Sequence, residues 1–204
     1  MDLENNTLRY YEENSAAYSR RTGQRLDLAA LQEFTRYLSQ GVSPGARLLD
    51  AGCGAGRDLE YFQAKGFKAE GIDFSGEMLK KASERTSAPL RHLDIRLLTL
   101  KNTESFQGIW ANRLMIHLSP PGCQRTLGIF FSALCKGGIL FVSIEEGEGE
   151  FQDQTDNPVG PARTVFRYPR DSFASLLRQS GFQILSEGRN LDSSIQIGFI
   201  AKRI

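Results

Sequence analysis

Short apolar runs alternate with amphipathic stretches over most of this 204-residue chain. Three of the runs, Arg47–Ala51, residues 69–73 and Phe106–Ala111, read R-L-L-D-A, A-E-G-I-D and F-Q-G-I-W-A, a pattern that predicts buried β-strands. The stretches between them carry apolar side chains at helical spacing and therefore predict helices. Repeated alternation of strands and helices is typical of an α/β fold with a doubly wound, mostly parallel sheet.

Seven strands are predicted in all, and the other four differ in their patterns. Residues 139–144 read I-L-F-V-S-I, a nearly continuous apolar run, as expected of a strand that is covered on both faces. Residues 194–201 alternate with a period of two, which is also typical of a strand. The remaining two predicted strands are residues 90–93 and residues 182–187.

Six helices are predicted around these strands, and the first two precede the sheet as an N-terminal helical appendage. Asp27 and Ser75 are candidate N-caps, because a short side chain with an oxygen acceptor can bind the free N–H groups of a first helical turn. Gly137 and Gly138 form a helix stop signal. The predicted helices are residues 5–21, a second from Asp27, residues 56–65, a fourth from Ser75, residues 120–136 with Leu134 on the buried face, and residues 171–179, and residues 41–45 separate the second helix from the first strand.

The composition predicts a single globular domain over residues 1–204. Apolar residues make up 40% and charged residues 24%, and the net charge of +1 comes without a block of Lys and Arg, so the composition gives no case for a nucleic-acid partner, although tRNA or protein targets stay open. The three cysteines lack C-x-x-C spacing, which argues against a structural metal and favours a reducing compartment. No apolar run is long enough to span a membrane, so the prediction is a cytoplasmic protein without a membrane partner.

The most informative stretch, residues 46–58, reads A-R-L-L-D-A-G-C-G-A-G-R-D and places a glycine turn between a strand and a helix. Such a turn presents backbone N–H groups to a ligand. A dinucleotide fingerprint, G-x-G-x-x-G, would have its third glycine where Arg57 stands. Asp50, just ahead of the glycines, would repel a pyrophosphate, so a ligand with an ammonium or sulfonium beside its adenosine fits better. The alternative is a tight turn that binds no ligand.

Carboxylates stand at the ends of three successive predicted strands, at Asp50, Asp73 and Asp94. Asp73 follows the turn by about twenty residues, the distance at which a carboxylate reaches ribose hydroxyls. The alternative for Asp73 is an acid at the N-terminus of the helix that Ser75 caps. Asp94 could accept a hydrogen bond from an adenine amino group. Together with the glycines, the three acids indicate an adenosine-binding site at one edge of the sheet.

These segments resemble the class I S-adenosylmethionine-dependent methyltransferases, in particular the small bacterial type with a methyltransferase type 11/25-like domain. L-L-D-A-G-C-G-A-G-R-D is similar to the family's first motif, G-I-D-F-S to its ribose-binding motif, and L-D-I to its adenine-binding motif. F-Q-G-I-W-A-N and C-K-G-G-I-L-F-V are similar to its fourth and fifth strands. The resemblance runs from about Tyr10 to the C-terminus and implies a Rossmann-like fold, with S-adenosylmethionine as cofactor and S-adenosylhomocysteine as product.

The resemblance implies how the turn would hold the methionine part of the cofactor. Gly52 and Gly54, on either side of Cys53, would approach the methionine part. Asp50 would support its ammonium directly or through water. The backbone carbonyl of Asn112 is similar to the group that receives that ammonium. All five residues are therefore expected to bind the cofactor.

The resemblance also implies how the adenosine part would be held. Asp73 would bind the ribose hydroxyls, with Phe74 against the adenine. Asp94 and the backbone of Ile95 would meet the adenine edge.

Tyr18 resembles the N-terminal aromatic residue that closes over the cofactor in small members of the family. The resemblance thus makes the helices of residues 1–42 part of a lid over cofactor and acceptor. The alternative is that Tyr18 is a core aromatic of the first helix.

The family's mechanism asks little of the protein, because the sulfonium already activates the methyl group. The enzyme supplies alignment for in-line displacement, exclusion of water and, in some members, a base. His117, in N-R-L-M-I-H-L after the fourth strand, is the candidate base, since an imidazole can deprotonate a hydroxyl or amine near neutral pH. The alternative is a histidine that packs against a helix or caps it.

Two further features concern the methyl acceptor. Arg113 could hold an acceptor carboxylate or form a salt bridge with a neighbour. The acidic run of residues 145–156 is a solvated loop or part of the acceptor pocket, and Arg163–Tyr168 could fold back to pair with it. Arg113, Glu146 and Arg163 are the candidate substrate-binding residues, and their mixed charges favour a small polar acceptor.

The sequence therefore predicts a methyltransferase that acts on oxygen or nitrogen of a small molecule. The fourth strand ends in A-N-R-L rather than N-P-P-Y or D-P-P-Y, which disfavours methylation of base amino groups. Two alternatives stay open. One is a non-catalytic protein that binds S-adenosylmethionine as a signal, and the other is an NAD-dependent oxidoreductase, against which Arg57 argues.

Overall fold

The computed structural model describes residues 3–23, 25–40, 45–98, 105–189 and 195–204, with side chains from residue 6 onward. Nine strands in these ranges form one mixed sheet. They are β1 (Arg47–Ala51), β2 (Lys68–Asp73), β3 (Leu90–His92), β4 (Phe106–Ala111), β5 (Leu134–Glu146), β6 (Gly149–Asp153), β7 (Arg163–Tyr168), β8 (Phe182–Arg189) and β9 (Gln196–Arg203).

The first five strands form the parallel part of the sheet, in the order β3-β2-β1-β4-β5. Beyond β5 the sheet continues with β9 and then β8, both in antiparallel pairing. The order reverses between β1 and β4, and ligands of open α/β sheets bind at such a point, outside the carboxyl ends of the strands. The predicted doubly wound, mostly parallel, Rossmann-like sheet is therefore confirmed.

Six α-helices are seen in the described ranges, and their starts agree with the cap residues. Asp27 accepts a hydrogen bond from the backbone N–H of Ala30, and Ser75 accepts one from that of Met78, so both predicted N-caps are confirmed. No helix of the described ranges is both long enough and apolar enough to cross a membrane. The helices are α1 (Leu3–Thr22), α2 (Leu28–Ser39), α3 (Arg57–Ala64), α4 (Gly76–Ser83), α5 (Pro120–Ala133) and α6 (Arg170–Gln179), and single turns of 3-10 helix cover Ile95–Leu97 and Met115–His117.

Two apolar cores lie on opposite faces of the sheet. Successive residues of a strand point to opposite faces, and Leu48 and Leu49 of β1 accordingly belong to different cores. Phe34 of α2 and Phe62 of α3 pack into the core of Leu48, whereas Phe130 of α5 packs into the core of Leu49. Burying one such side chain stabilises the fold by roughly 1.5–3 kcal/mol. Both cores thus hold the central strands, and with them the carboxyl edge of the sheet, in place.

The end of α5 differs from the prediction, which continued this helix to Lys136. Leu134, predicted on the buried face of the helix, is instead the first residue of β5 and pairs with Phe106. Gly137 and Gly138 do not stop a helix. They lie inside β5, where Gly137 has a φ of 79° and the register with β4 shifts. The irregular strand allows Leu134 to pair with β4, and this tertiary contact overrides the local helical pattern.

The sheet has two strands more than the seven predicted, and both lie in the hairpin of residues 149–168. β6 and β7 pair antiparallel, so the expectation that Arg163–Tyr168 folds back on the acidic run is confirmed. β7 also pairs with Glu145 and Glu146 at the end of β5, on the edge that β4 uses earlier, because β9 fills the other edge. Most side chains of β6 are exposed, so no apolar pattern marks this strand in the sequence.

The other predicted elements are confirmed with small shifts at their ends, as is usual for helix and strand boundaries. Ser194, the predicted start of the last strand, and residues 41–44 of the predicted linker lie outside the described residues.

Candidate active site

A cavity opens at the carboxyl ends of β1, β2 and β4, facing α1. It contains about 820 Å³ of empty space, including some that is open to solvent. We call it the main cavity. Its walls include most of the site residues predicted from the sequence, namely Tyr18, Gly52, Gly54, Asp73, Phe74, Asp94, Ile95, Asn112, Arg113 and His117.

The other predicted site residues lie elsewhere. Asp50 and Cys53 are buried, at 2% and 8% exposure, and neither belongs to the cavity wall. Arg163 lines a second cavity, described below. Glu146 forms an ion pair with Arg189 and belongs to the wall of neither cavity.

The turn after β1 is shaped by glycines and tied to the neighbouring strand. Gly52 and Gly54 have φ angles of 73° and 53°, conformations that cost a residue with a Cβ about 1–2 kcal/mol. The N–H groups of Gly52 and Cys53 both donate to the carbonyl of Ile72 in β2, at 2.8 and 3.0 Å. A Cβ on Gly52 would lie 3.1 Å from the Leu114 side chain, so glycine also leaves room for a ligand to approach the backbone.

Asp73 ends β2 and faces the main cavity with its carboxylate fixed from behind. Oδ2 accepts the backbone N–H of Gly54 at 2.8 Å, and Oδ1 accepts that of Ser75 at 2.9 Å. Burial raises the pKa of Asp73 to about 6, although the backbone N–H groups of Ser75 and Gly54 act in the opposite direction. The group is therefore charged at neutral pH and keeps free lone pairs for hydroxyl donors in the cavity.

One carboxylate oxygen of Asp50, Oδ2, is buried and receives no hydrogen bond from the described residues. Burial, and after it the nearby charge of Asp58, raise the pKa of Asp50 well above its ordinary value. Buried carboxylate oxygens are usually paired. The unpartnered oxygen behind the glycine turn therefore suits a cation or a water molecule that a bound ligand would hold there.

The wall at the end of β3 brings Phe74, Asp94 and Ile95 together. Asp94 is already engaged, because its carboxylate accepts the Nε of Arg96 at 2.9 and 3.0 Å and the backbone N–H of Arg96 at 2.9 Å. Burial raises the pKa of Asp94, but these hydrogen bonds outweigh burial and hold it below its ordinary value. An adenine amino group at this wall would share the carboxylate with Arg96.

Asn112 belongs to a buried hydrogen-bond network that the sequence pattern does not predict. Asp58 accepts the indole N–H of Trp110 at 2.8 Å and the Nδ2 of Asn112 at 3.3 Å. It also accepts the Nε of Arg57 at 2.7 Å. Arg57 in turn donates to the carbonyl of Arg25 at 2.6 Å. The residue that interrupts the dinucleotide fingerprint thus ties the segment after α1 to the glycine turn.

Tyr11 of α1 joins His117 and Arg163, and nothing local in the sequence marks it as a site residue. The Nδ1 of His117 lies 3.0 Å from the carbonyl oxygen of Thr164 and must donate to it, since a carbonyl only accepts. The Nε2 of the neutral ring is then an acceptor, and it receives the Tyr11 hydroxyl at 2.9 Å. Arg163 donates its Nη1 to the same hydroxyl oxygen at 2.7 Å. Both ring nitrogens of His117 are therefore in use, in a tautomer that these bonds define.

The surroundings keep His117 neutral. Burial, and after it the guanidinium of Arg163, lower the pKa of His117 to about 3. Burial also raises the pKa of Tyr11, against the opposing effect of Arg163. A proton on His117 would add a second buried cation beside Arg163. These bonds favour a role for His117 in positioning Tyr11, rather than the predicted role as a base.

Arg113 lies on the border of the main cavity with an unusual backbone. Its φ of 60° makes it the only non-glycine residue of the described chain in the left-handed region, a conformation that costs about 1–3 kcal/mol and is held by surrounding contacts. Its N–H donates to Ser143 Oγ at 2.7 Å, and its guanidinium donates to Glu145 at 3.0 Å and to Gln196 at 3.2 Å. The salt bridge to a neighbour is thus formed, with the guanidinium held on the cavity wall.

A second cavity of about 610 Å³, again including space open to solvent, adjoins the main one. Tyr18, Asn112 and Arg113 belong to the walls of both. We call it the arginine cavity, because its lining residues include Arg21, Arg25, Arg57, Arg113 and Arg163. These arginines are scattered along the chain, so no sequence motif announces the cavity.

The hairpin of residues 149–168 holds α1 in place. Asp156 accepts the Nε and Nη2 of Arg21 at 2.6 and 2.8 Å, and it also accepts the hydroxyl of Tyr10. Arg163, which is 4% exposed, pairs with Asp153 at 2.6 Å. Its guanidinium lies 5.3 Å from the centre of the Tyr10 ring. Helix α1 and the hairpin thereby form one wall opposite the edge of the sheet.

The sequence of this chain matches a known protein family. The profile of the methyltransferase domain family matches residues 21–187. The chain is a member of this methyltransferase family. The match includes the glycine turn, Asp73 and Asp94, so the resemblance inferred from these motifs is confirmed.

A curated relative shares part of this domain. The malonyl-[acyl-carrier protein] O-methyltransferase of Pectobacterium atrosepticum is 30% identical over 104 residues. The match covers 50% of this chain and 40% of that enzyme. This chain therefore matches less than half the length of the relative.

Solved methyltransferase structures share the fold. The 1,6-didemethyltoxoflavin-N1-methyltransferase of Burkholderia thailandensis, with bound 1,6-didemethyltoxoflavin and S-adenosylhomocysteine, has a TM-score of 0.75 at 19% identity, over 98% of this chain and 87% of that one. The magnesium protoporphyrin IX methyltransferase of Synechocystis, with bound S-adenosylmethionine, has a TM-score of 0.79 at 15% identity, over 100% and 98%. These similarities confirm the Rossmann-like fold of the class I methyltransferases.

Proposed function

We propose that this protein transfers the methyl group of S-adenosylmethionine to an oxygen or nitrogen atom of a small-molecule acceptor and releases S-adenosylhomocysteine. Membership of the methyltransferase family supports the reaction. The observation that carries the choice of cofactor is the direct hydrogen bond of 2.8 Å between the Gly54 N–H and Asp73, which joins the glycine turn to the ribose-binding acid on one cavity wall.

The main cavity fits the two ends of this cofactor. The unpartnered Oδ2 of Asp50 suits the ammonium, directly or through water. Asp73 suits the ribose hydroxyls, because its charged carboxylate has lone pairs left on the cavity side. Cys53 would contribute through its backbone, since its thiol is buried away from the cavity. The residues that would hold the cofactor are Tyr18, Asp50, Gly52, Cys53, Gly54, Asp73, Phe74, Asp94, Ile95 and Asn112.

The chain's own residues would serve the reaction mainly by orientation and by excluding water. S-adenosylmethionine, when bound, supplies a methyl group that is already activated for displacement. Tyr11 and Tyr18 provide an aromatic wall from α1, with ring centres 5.1 Å apart in an edge-to-face arrangement. His117 holds the Tyr11 hydroxyl in place. Its predicted role as a base would require the Tyr11 hydroxyl to move off Nε2.

We place the methyl acceptor at the border between the two cavities. Arg113 and Arg163 are the substrate-binding residues of the proposal, because both line the arginine cavity. Glu146 is left out, since it pairs with Arg189 away from both walls. The relative from Pectobacterium methylates oxygen and the Burkholderia enzyme methylates N1 of a small molecule, as their names state, so both atom types fit the proposal. We place the reaction in the cytoplasm, on the cysteine usage of the sequence.

Isothermal titration calorimetry with S-adenosylhomocysteine and with NAD tests the cofactor. We expect S-adenosylhomocysteine to bind and NAD to give no heat, because the carboxylate of Asp50, just ahead of the glycine turn, would repel a pyrophosphate. Binding of NAD without any response to S-adenosylhomocysteine would support the oxidoreductase instead. A protein that binds the cofactor but methylates nothing in a broad metabolite screen would support the non-catalytic alternative.

A further inference from the structure

Ion pairs hold most of the guanidinium groups of the arginine cavity in position. A guanidinium carries five N–H groups in a planar fork, and a carboxylate partner uses only part of them. The remaining N–H groups fit a second anionic oxygen pair on the cavity side. Four of the arginines are anchored in this way, Arg21 by Asp156, Arg57 by Asp58, Arg113 by Glu145 and Arg163 by Asp153.

Arg25 is the exception among these arginines. Its side chain forms no hydrogen bond or ion pair with any residue that the structure describes. The carboxylate on the same wall, Asp27, accepts the N–H of Ala30 and caps α2, where the helix N-terminus offsets its charge. Arg21, Arg57 and Arg163 each have an anchoring acid, whereas Arg113 shares Glu145 with Arg167. An incoming anion would therefore find its counter-charge at Arg25.

Among the wall residues that the structure describes, neither cavity offers an unengaged base to an acceptor that has to lose a proton. The Nε2 of His117 is filled by the Tyr11 hydroxyl. Asp94 is paired with Arg96, and Asp27 caps a helix. Asp73 faces the position proposed for the ribose. Among the described wall residues, no imidazole or carboxylate is thus left for deprotonation.

We propose that the methyl acceptor is a carboxylic acid, whose anionic group binds in the arginine cavity and is converted to a methyl ester. This inference rests on the methyl transfer proposed above. A carboxylate is ionised at neutral pH, so its oxygen attacks without a base. The O–CH₃ bond forms as the C–S bond breaks, the electron pair of that bond stays on sulfur, and no proton moves. Arg113, at the border of the two cavities, and Arg25, on the wall of the arginine cavity, hold the carboxylate.

The cofactor itself carries a carboxylate, so the source of the anion has to be separated by experiment. S-adenosylhomocysteine has the amino-acid tail, whereas 5′-methylthioadenosine lacks it. If Arg25→Gln weakened S-adenosylhomocysteine tenfold or more and left 5′-methylthioadenosine unchanged, the cavity would serve the cofactor tail and the assignment to the acceptor would be overturned. We expect both ligands to bind Arg25→Gln within about threefold of the wild type.

Matched acids and amides test the acceptor class directly. The protein is incubated with methyl-labelled S-adenosylmethionine and with malonate, benzoate, octanoate or indole-3-acetate, each beside its amide. We expect label in at least one acid, in a product that releases methanol in alkali, and none in its amide. Arg25→Gln and Arg113→Gln should lower kcat/KM for that acid at least tenfold, whereas Arg9→Gln, an exposed position of α1 paired with Glu13, should keep it.

Two results would overturn the proposal. One is a panel in which no acid is methylated in preference to its amide, and the other is transfer only to amines or alcohols in alkali-stable products. The affinity of each variant for S-adenosylhomocysteine, measured in parallel, shows that it is folded. Failure of the wild type to bind S-adenosylhomocysteine would instead contradict the proposed function.

Discussion

The two cavities of this protein are built in different ways. The main cavity depends on hydrogen bonds between groups at neighbouring strand ends, such as the bond from the Gly54 N–H to the Asp73 carboxylate, 19 positions apart in the chain. The wall of α1 and the hairpin depends on side chains from distant segments. Tyr11 and Arg163, for example, meet across 152 positions, and Tyr11 and His117 across 106.

This difference predicts how each region responds to substitution. The carboxylate of Asp73 faces the main cavity and also accepts the backbone N–H groups of Gly54 and Ser75, so its loss should weaken ligand binding strongly and also loosen the glycine turn. The buried charge of Arg163 is balanced by Asp153, and its Nη1 donates to the hydroxyl of Tyr11; removing one partner leaves the other unsatisfied in the interior. Substitutions in this wall should therefore affect stability more than cofactor binding.

The largest effect is expected from Asp73→Ala. The variant loses the charged acceptor for two hydroxyl groups, and hydrogen bonds to a charged group contribute about 1.5–3 kcal/mol each. We expect the Kd for S-adenosylhomocysteine to rise at least about 100-fold, which corresponds to about 2.7 kcal/mol. Calorimetry measures the Kd. Asp171→Ala is the matched control, because the side chain of Asp171 is 95% exposed on α6, and a change below fivefold in Asp73→Ala would contradict the proposed ribose contact.

Tyr11→Phe is expected to act in the opposite way. The substitution leaves the Nη1 of Arg163 and the Nε2 of His117 without a partner in a buried wall. The free energy of unfolding should fall by about 1–3 kcal/mol, while the Kd for S-adenosylhomocysteine changes by less than about threefold. Urea unfolding monitored by circular dichroism measures the first quantity.

Tyr61→Phe provides the control for Tyr11→Phe. The hydroxyl of Tyr61 is buried, and among the described residues it has no hydrogen-bond partner. Its removal should therefore leave stability unchanged or raise it slightly. If Tyr11→Phe were as stable as Tyr61→Phe and bound the cofactor far more weakly, the contrast between the two regions would be wrong.

The same contrast explains what the sequence could predict. The parallel strands, the glycine turn and the acid at the end of β2 follow from local patterns, because apolar runs and glycine positions dictate backbone geometry within a few residues. The positions of Gly52, Gly54 and Asp73 on the cavity wall could therefore be anticipated. Their contacts lie within one pair of adjacent strands.

The remaining features depend on contacts that no local pattern encodes. The helical pattern around Leu134 loses to pairing with Phe106 in β4. The exposed strand β6 has no apolar period, and only its partner β7 defines it. Tyr11 reads as a core aromatic of a helix, and its role emerges only when His117 and Arg163 arrive from other elements. Side-chain contacts between distant segments can be identified only in the folded structure.

The smallest expected effect sharpens the contrast through pH. Burial raises the pKa of Asp73 from 3.8 to about 6, so between these values the folded protein binds a proton that the unfolded chain has lost. The contribution of this group to stability therefore decreases as the pH rises through that window. Cofactor binding has the opposite sign, because the charged carboxylate is the better acceptor for ribose hydroxyls. The affinity for S-adenosylhomocysteine should be full above about pH 7 and fall by up to about tenfold per unit below pH 6.

Calorimetry between pH 5 and pH 7.5 on the wild type and on Asp73→Asn tests this dependence. His117, with a pKa of about 3, and Asp94, with a lowered pKa, keep one protonation state over this range. Asp50 also has a raised pKa, so a slope that persists in Asp73→Asn would come from another group, such as Asp50. We expect the variant to bind weakly and with a flatter pH profile. If the affinity had the same pH slope in the two proteins, Asp73 would not govern the pH dependence of cofactor binding. The buried Asp50 behind the glycine turn would then be the next candidate.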